Sequence, residues 1–340
     1  MAHDLSLRFL AQDFYLKKPR APCANTYRNI LGRVIDIEEF EQVAREFFAS
    51  QPNAGQSLVI ALDGKTLRGT ISGGQTRGQH LLAADLPAEG GVLFQVEVDG
   101  KENEITAAPR VLKCLDLRGK IVTGDAMFAQ RELSLQVITD GGNHIWTVKD
   151  NQSTLRQDIA LHFQPEKTVK GFSRGTQDLR MAETMEKKRG RLGHRALTVS
   201  AELKGYLDWP GAEQVFKLER PFTRVVDRHV TKEVVCGITS LTAQEANAPQ
   251  LLQLTRSHWG IENGLHYLRD ETLREDWCHL KRGQAPRAMA VINNLIVGLV
   301  LRLDWTNLAA ARRYFDAQPH KAHRLVLQRM SDFWEAVPEP

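Results

Sequence analysis

A change of rhythm partway along this chain restricts its fold more than any single residue does. Three short apolar segments, Ser57 to Asp63, Gln79 to Asp85 and Gly91 to Val98, are joined by Gly-rich turns that suit antiparallel neighbours. The pattern then becomes an alternation of helix and strand. It runs through a helix near Asn103 to Leu115, a strand at Lys120 to Asp125, a helix near Gln130 to Thr139, a strand at His144 to Lys149, and a helix from Ser153 to His162. Such alternation implies parallel strands with right-handed crossovers.

A three-stranded meander followed by βα units predicts an α/β fold: a ribonuclease-H-like mixed sheet flanked by helices. The flanking segments divide the rest of the chain. Residues 1–52 read as a helical N-terminal segment, with Ile37, Phe40, Val43, Ala44, Phe47 and Phe48 on one side of a helix and a basic, extended Lys17-Lys-Pro-Arg-Ala-Pro22 before it. Residues 53–163 form the first part of the core. Short alternating segments such as Ala196 to Ser200, Gln214 to Leu218 and Glu233 to Ile238 make 164–241 a β-rich insertion. Helical patterning returns over 242–305, which should complete the core, and 306–340 read as a helical tail. With 340 residues, 42% hydrophobic, the chain can bury a sizeable core. Its formal charge of +4 permits a polyanionic partner without demanding one. The apolar run Leu295 to Leu301 is too short to span a bilayer, so no membrane role is expected, and the reading is cytoplasmic. Cys23, Cys114, Cys236 and Cys278 are too scattered for a disulfide framework or a CxxC zinc site, and reduced, buried thiols are expected.

Two of the predicted strands run straight into an acid, Leu58 to Leu62 into Asp63 and Lys120 to Gly124 into Asp125. Carboxylates at the ends of neighbouring strands repel one another unless a cation or a base compensates, and hard oxygen ligands suit Mg²⁺ or Mn²⁺. Two such ions about 3.5 to 4 Å apart activate an attacking oxygen and stabilise the leaving oxygen of a phosphodiester. An Asp after a strand is also an ordinary turn or helix cap, and Asp125 could cap the helix starting at Ala126. Further along, His258, Glu262, His266 and Arg269 share one helical face, with Ile261, Leu265 and Leu268 on another. Glu262 could complete a carboxylate metal site with His266 and Arg269 beside it to meet phosphate, or His258, His266 and Glu262 could ligate zinc. The zinc reading lacks the His-Glu-x-x-His order. A solvated helix face is the third option.

Several ordered blocks resemble the bacterial H-repeat-associated insertion-sequence transposases of the DDE superfamily. They are Asp63-Gly-Lys-Thr-Leu-Arg-Gly69, Lys101-Glu-Asn-Glu-Ile-Thr-Ala107, Leu115 to Ala126 with Gln130, Thr147-Val-Lys-Asp-Asn-Gln152, and His258-Trp-Gly-Ile-Glu-Asn-Gly-Leu-His266. The likeness extends through Glu275-Asp276 and Arg282-Gly-Gln-Ala-Pro286 to Leu303, and upstream from Pro22 to Phe48. It implies a ribonuclease-H-like core with a β insertion before the last catalytic helix, and it maps the three catalytic, metal-holding acids onto Asp63, Asp125 and Glu262. Arg269 falls where related transposases keep a basic residue for the DNA backbone, whereas Thr255 and His258 depart from the Tyr and Arg of that wider pattern.

The resemblance implies a Mg²⁺-dependent transposase, with Mn²⁺ as a substitute and two ions in use, acting on double-stranded DNA. It would cleave terminal inverted repeats and join them to target DNA as a homodimer in a synaptic complex, in a bacterial, nucleoid-associated setting. Lys65, Arg68, Lys149, His266 and Arg269 are the expected DNA contacts near the acids. Lys187, Lys188, Arg189 and Arg191 with His194 and Arg195, and Lys281 and Arg282 with Arg274 and Arg287, form further basic clusters that would make binding salt dependent. Trp146 and Trp259 are assigned to packing rather than to base stacking. The family carries a longer helical region ahead of the segment matching Pro22 to Tyr27, so a shortened N-terminus is expected. A nuclease that cleaves without strand transfer, and a decayed or domesticated DNA-binding protein, are the alternative functions.

Overall fold

A computed structural model of the chain describes residues 22–49, 58–86, 91–98, 102–164, 177–188, 191–224, 230–260 and 265–327. Nine strands form one sheet: β1 (Val59–Thr66), β2 (His80–Leu86), β3 (Gly91–Val98), β4 (Ile121–Gly124), β5 (Asn143–Val148), β6 (Arg180–Lys188), β7 (Arg191–Ser200), β8 (Gln214–Arg224) and β9 (Val230–Thr239). Their order is β3-β2-β1-β4-β5-β9-β8-β7-β6. The first three strands are an antiparallel meander, while β4 and β5 run parallel to β1, as the change of rhythm in the sequence predicts. This is the ribonuclease-H-like arrangement. The β-rich insertion does not stand apart from it, because β9 pairs antiparallel with β5 and carries the sheet onward.

Helices cover both faces of the first five strands. α1 (Ala24–Asn29) and α2 (Ile37–Ala49) lie at the N-terminal side, and α3 (Glu104–Lys113), α4 (Arg131–Thr139) and α5 (Ser153–His162) follow the strands of the core. α3 starts sharply because Asn103 and Thr106 form a reciprocal capping box, with Asn103 Oδ1 accepting from the Thr106 amide at 3.0 Å. Ile60, Leu62, Leu82, Ala84 and Val122 face α3 and α4 in one core, together with Val111, Leu112, Phe128, Leu133 and Val137. Ala61 and Ala83, on the other face, pack with Leu265, Val297 and Val300.

The C-terminal helices supply that second layer: α6 (Ala248–Gly260), α7 (Ala285–Arg302), α8 (Leu308–Ala317) and α9 (Pro319–Leu327). α6 lays Leu251 and Leu252 on Leu197, Val199, Phe216 and Leu218 of the extension. α7 is long and apolar enough to cross a membrane by length and composition alone, but its residues Ala288, Val291, Val297 and Val300 are buried against the chain's own elements. The four thiols are unpaired. Only Cys236 is buried, and Cys23 and Cys114 are exposed, which corrects the expectation of buried thiols throughout.

Candidate active site

The site begins with a difference between two ladders. β1 pairs with β2 as far as Thr66, but its parallel ladder with β4 stops at Leu62 opposite Gly124. Asp63 therefore lies inside a strand rather than at its end, yet it is the first residue beyond the parallel pairing. Asp125 is the first residue beyond β4. The two aspartates are thus next in register on adjacent parallel strands, whose spacing is about 4.8 Å. This is the carboxyl edge of the sheet, where α/β proteins place their chemistry.

Each aspartate has local work as well. Asp125 Oδ1 accepts from the Met127 amide at 2.9 Å, so it caps the short 3₁₀ turn Ala126–Phe128, as its alternative reading supposed. Burial pushes its carboxyl above the ordinary range; the Glu104 charge adds to this, while the Met127 amide and Lys149 oppose it. Asp63 Oδ1 accepts from the Gly64 amide at 2.9 Å, and its Oδ2 lies 3.3 Å from His266 Nδ1.

Glu262 lies outside the described residues, and the residues on either side of it show where its neighbours are held. His258, four residues before it, is buried and places Nδ1 3.4 Å from Thr123 Oγ1 on β4, two residues ahead of Asp125. His266, four residues after it, meets Asp63 on β1. Burial lowers both imidazoles, His258 to about 4 and His266 to about 3, the latter aided by the Arg269 and Lys65 charges, so both are neutral at pH 7. Engagement of the two histidines on different strands gives no support to a shared zinc ion. Among the described residues no three His, Cys, Asp or Glu side chains converge as a metal cluster.

The basic residues sort by burial. Arg269 is 1% exposed, with Nε and Nη2 donating to the Glu275 carboxylate and Nη1 to Asn294 Oδ1 at 3.1 Å. Lys65 is 8% exposed and donates to both carboxylate oxygens of Asp270, at 2.6 and 2.7 Å. Both side chains are turned inward to carboxylates. Arg287 likewise donates to Glu41 at 2.6 and 2.8 Å. Arg68, in contrast, has a side chain 76% exposed, 3.7 Å from Asp276. Lys149, Lys187, Lys281 and Arg282 are exposed, Lys281 donating to the Ile71 carbonyl at 2.7 Å. Arg195 and Arg256 both pair with Glu186, and His194 pairs with Glu183. Lys188 and Arg191 face each other across the β6–β7 ladder, and Arg189 lies outside the described residues. Trp146 is fully buried and donates to Ser134 Oγ, in keeping with packing; the side chain of Trp259 is not among those described.

One neighbour of the site escaped the sequence reading. Glu104 Oε1 lies 2.7 Å from His80 Nε2, and His80 Nδ1 lies 2.8 Å from Thr66 Oγ1. A Cβ at position 64 would overlap the Glu104 carboxylate, so Gly64 is what lets α3 bring an acid against β1. The available signal was the acid within Lys101 to Ala107 and the glycine directly after Asp63, though nothing in either block says that they touch.

Strand order and paired aspartates define a ribonuclease-H-like α/β protein with an acidic site at its carboxyl edge. The family model described as transposase DDE domain matches residues 54–299, and the chain belongs to that family. It is 28% identical over 253 residues to the protein named "H repeat-associated putative transposase YhhI" of Escherichia coli K12, covering 71% of this chain and 64% of that one. The same identity and coverage relate it to YbfL of Escherichia coli K12. An uncharacterised protein of Xanthobacter autotrophicus, from the dhlA 3′ region, is 34% identical over 226 residues, 65% of this chain and 73% of that one. The match thus spans 64% of the length of YhhI and of YbfL. Among solved structures, a piggyBac transposase synaptic complex with hairpin DNA aligns with a TM-score of 0.38 and 10% identity, over 72% of this chain and 46% of that chain.

Proposed function

We propose that this chain is an insertion-sequence transposase that cleaves DNA at the element's ends and joins the freed 3′-hydroxyl to target DNA by a DDE mechanism. The observation that carries this reading is the adjacency of Asp63 and Asp125 at the end of the β1–β4 ladder, with His266 against the first strand and His258 against the second. Glu262 falls midway between those two histidines in sequence, which favours it as the third acid. The core segments 53–163 and 242–305 would carry the site, and 164–241 the insertion.

The donor chemistry fits hard divalent cations. Asp125 is a partly desolvated carboxylate with another acid, Glu104, close enough to raise it, and a cation relieves both penalties. Asp63, Asp125 and Glu262 would hold Mg²⁺, or Mn²⁺ in its place; when bound, the ions supply activation of the attacking oxygen and stabilisation of the leaving one. The protein's own residues then orient the acids. The Met127 amide fixes Asp125, and the Gly64 amide and His266 fix Asp63. With His266 neutral, its contact with Asp63 adds no positive charge that would compete with a cation. Exposed Arg68, Lys149, Lys187, Lys281 and Arg282 would meet the phosphates of the transposon end and of the target, within a homodimeric synaptic complex in the bacterial cytoplasm.

Replacing Asp125 with Asn tests this on a labelled end substrate. Cleavage should fall by about 10²–10³-fold with DNA binding retained. Unchanged cleavage would sink the acid mechanism, and nicks without joined products from the unaltered protein would instead favour a nuclease. Shifted DNA that is never cut would favour a DNA-binding protein.

A further inference from the structure

A chain of buried polar groups runs behind the acidic edge. From β1, Lys65 reaches Asp270 and lies 3.9 Å from Glu275 Oε2. Glu275, 6% exposed, also accepts from Arg269 and from Asn293 Nδ2 at 2.9 Å. Asn294 accepts from Arg269 and donates to Gln95 Oε1 on β3 at 2.9 Å, and Gln95 donates to Glu41 on α2. These bonds tie the segment after Glu262, residues 269–275, to two strands, to α7 and to α2.

The cost of such a network shows that packing alone does not account for it. Charges taken out of water lose hydration that mutual attraction repays only in part, and apolar residues of similar volume often serve stability as well or better. What this network adds is position. Lys65 follows Asp63 by two residues on the same face of β1, and Arg269 follows Glu262 by seven. Arg269 makes a forked contact with one carboxylate, a geometry that sets orientation as well as distance.

We propose that Lys65, Arg269 and Glu275 form a positioning latch that sets residues 269–275, the stretch that follows the third acid in sequence, against the strand bearing Asp63. Arg269 acts through that segment and does not touch DNA. The latch rests on the acid-triad reading and deepens it, assigning these charges to assembly of the cation site.

The test measures Mn²⁺ affinity of the full chain without DNA, DNA-end affinity across a salt series, and thermal unfolding. Arg269→Lys keeps the charge but loses the fork. It should weaken Mn²⁺ binding by about 10- to 100-fold, the range seen when groups orienting metal ligands are removed. DNA affinity and its salt slope should stay at wild-type values. A lower DNA affinity with a shallower salt slope would make Arg269 a phosphate contact and overturn the latch. Because an unpaired buried charge can unfold a protein, a second variant joins Arg269→Met to Glu275→Met, removing both charges together. It should fold with wild-type stability and still bind Mn²⁺ weakly; wild-type Mn²⁺ affinity in that double variant would reduce the network to packing and overturn the proposal. Glu262→Gln separates the two claims. If it leaves Mn²⁺ affinity unchanged, the acid triad fails and the latch with it, whereas if it weakens binding and the double variant does not, the latch alone fails.

Discussion

The two halves of the nine-stranded sheet are built from the same ladder but treat charge in opposite ways. From β3 to β5 helices cover both faces, β2 and β4 are buried nearly throughout, and Lys65, Arg269 and Glu275 find one another inside. From β9 to β6 the cover is partial: α6 packs on one face, α5 reaches the other only at β9 and β8, and the outer half of β9, Val230 to Val234, is exposed. There Lys217 and Lys232 share Glu219 at the surface, and Met181 and Met185 face solvent. Cover decides what a basic residue meets: one inside is held by a carboxylate out of water, while one outside shares its carboxylate with solvent.

The largest effect should come from the covered half's apolar centre. Trp146→Ala removes a fully buried ring and its bond to Ser134, and should cost about 3–5 kcal/mol in chemical denaturation. A loss below about 1 kcal/mol would break the comparison, because it would mean that this half is not packed as a core. Lys65→Ala should follow at about 3 kcal/mol, since it leaves Asp270 without its cation while Glu275 keeps Arg269.

Two buried titrating groups should give this half a pH signature. Burial raises the Asp85 carboxyl from 3.8 to about 8, so the folded state holds a proton that the unfolded chain releases. Its contribution is fully present below pH 3.8 and is lost as pH rises through 8. Burial lowers His144 from 6.5 to about 4, and its contribution is present above pH 6.5 and lost as pH falls through 4. Each slope is at most about 1.4 kcal/mol per pH unit. Asp85→Asn should therefore lose the downward slope of stability between about pH 4 and 8, and a variant at His144 the upward slope between about pH 4 and 6.5. Parallel profiles for wild type and Asp85→Asn would mean that this carboxyl is hydrated.

Much of the covered half was legible because its signals are local. A short apolar run ending in an acid needs only a few neighbouring residues to be read, and that was enough to mark Asp63 and Asp125. The meander and the βα units showed themselves in the same way, through spacing and turn chemistry. Pairing across long separations was not legible: β5 meets β9 across some ninety residues, so the insertion's place at the edge of β5 came only from the fold. The fate of the basic residues was hidden for the same reason. Arg68 and Arg269 look alike in sequence, and only Glu275, Asn294 and the helix over them turn one inward.

The smallest effect sharpens the comparison most, because it repeats the lysine experiment without the cover. Lys232 Nζ lies 3.0 Å from Glu219 Oε1, about as near as Lys65 lies to Asp270, but its side chain is 54% exposed. Water solvates both partners once the pair is broken, and Lys217 still attends Glu219 at 3.6 Å. Lys232→Ala should therefore cost less than about 1 kcal/mol, with the difference shrinking further in high salt. The Lys232 bond is also the main cause that holds Glu219 below its ordinary range. That stabilising contribution is present above the unfolded value and lost as pH falls, so what little the variant costs should vanish in acid. A cost matching that of Lys65→Ala, or one that survives at low pH, would show that the open face of the extension is covered in solution and that the two halves are not distinct.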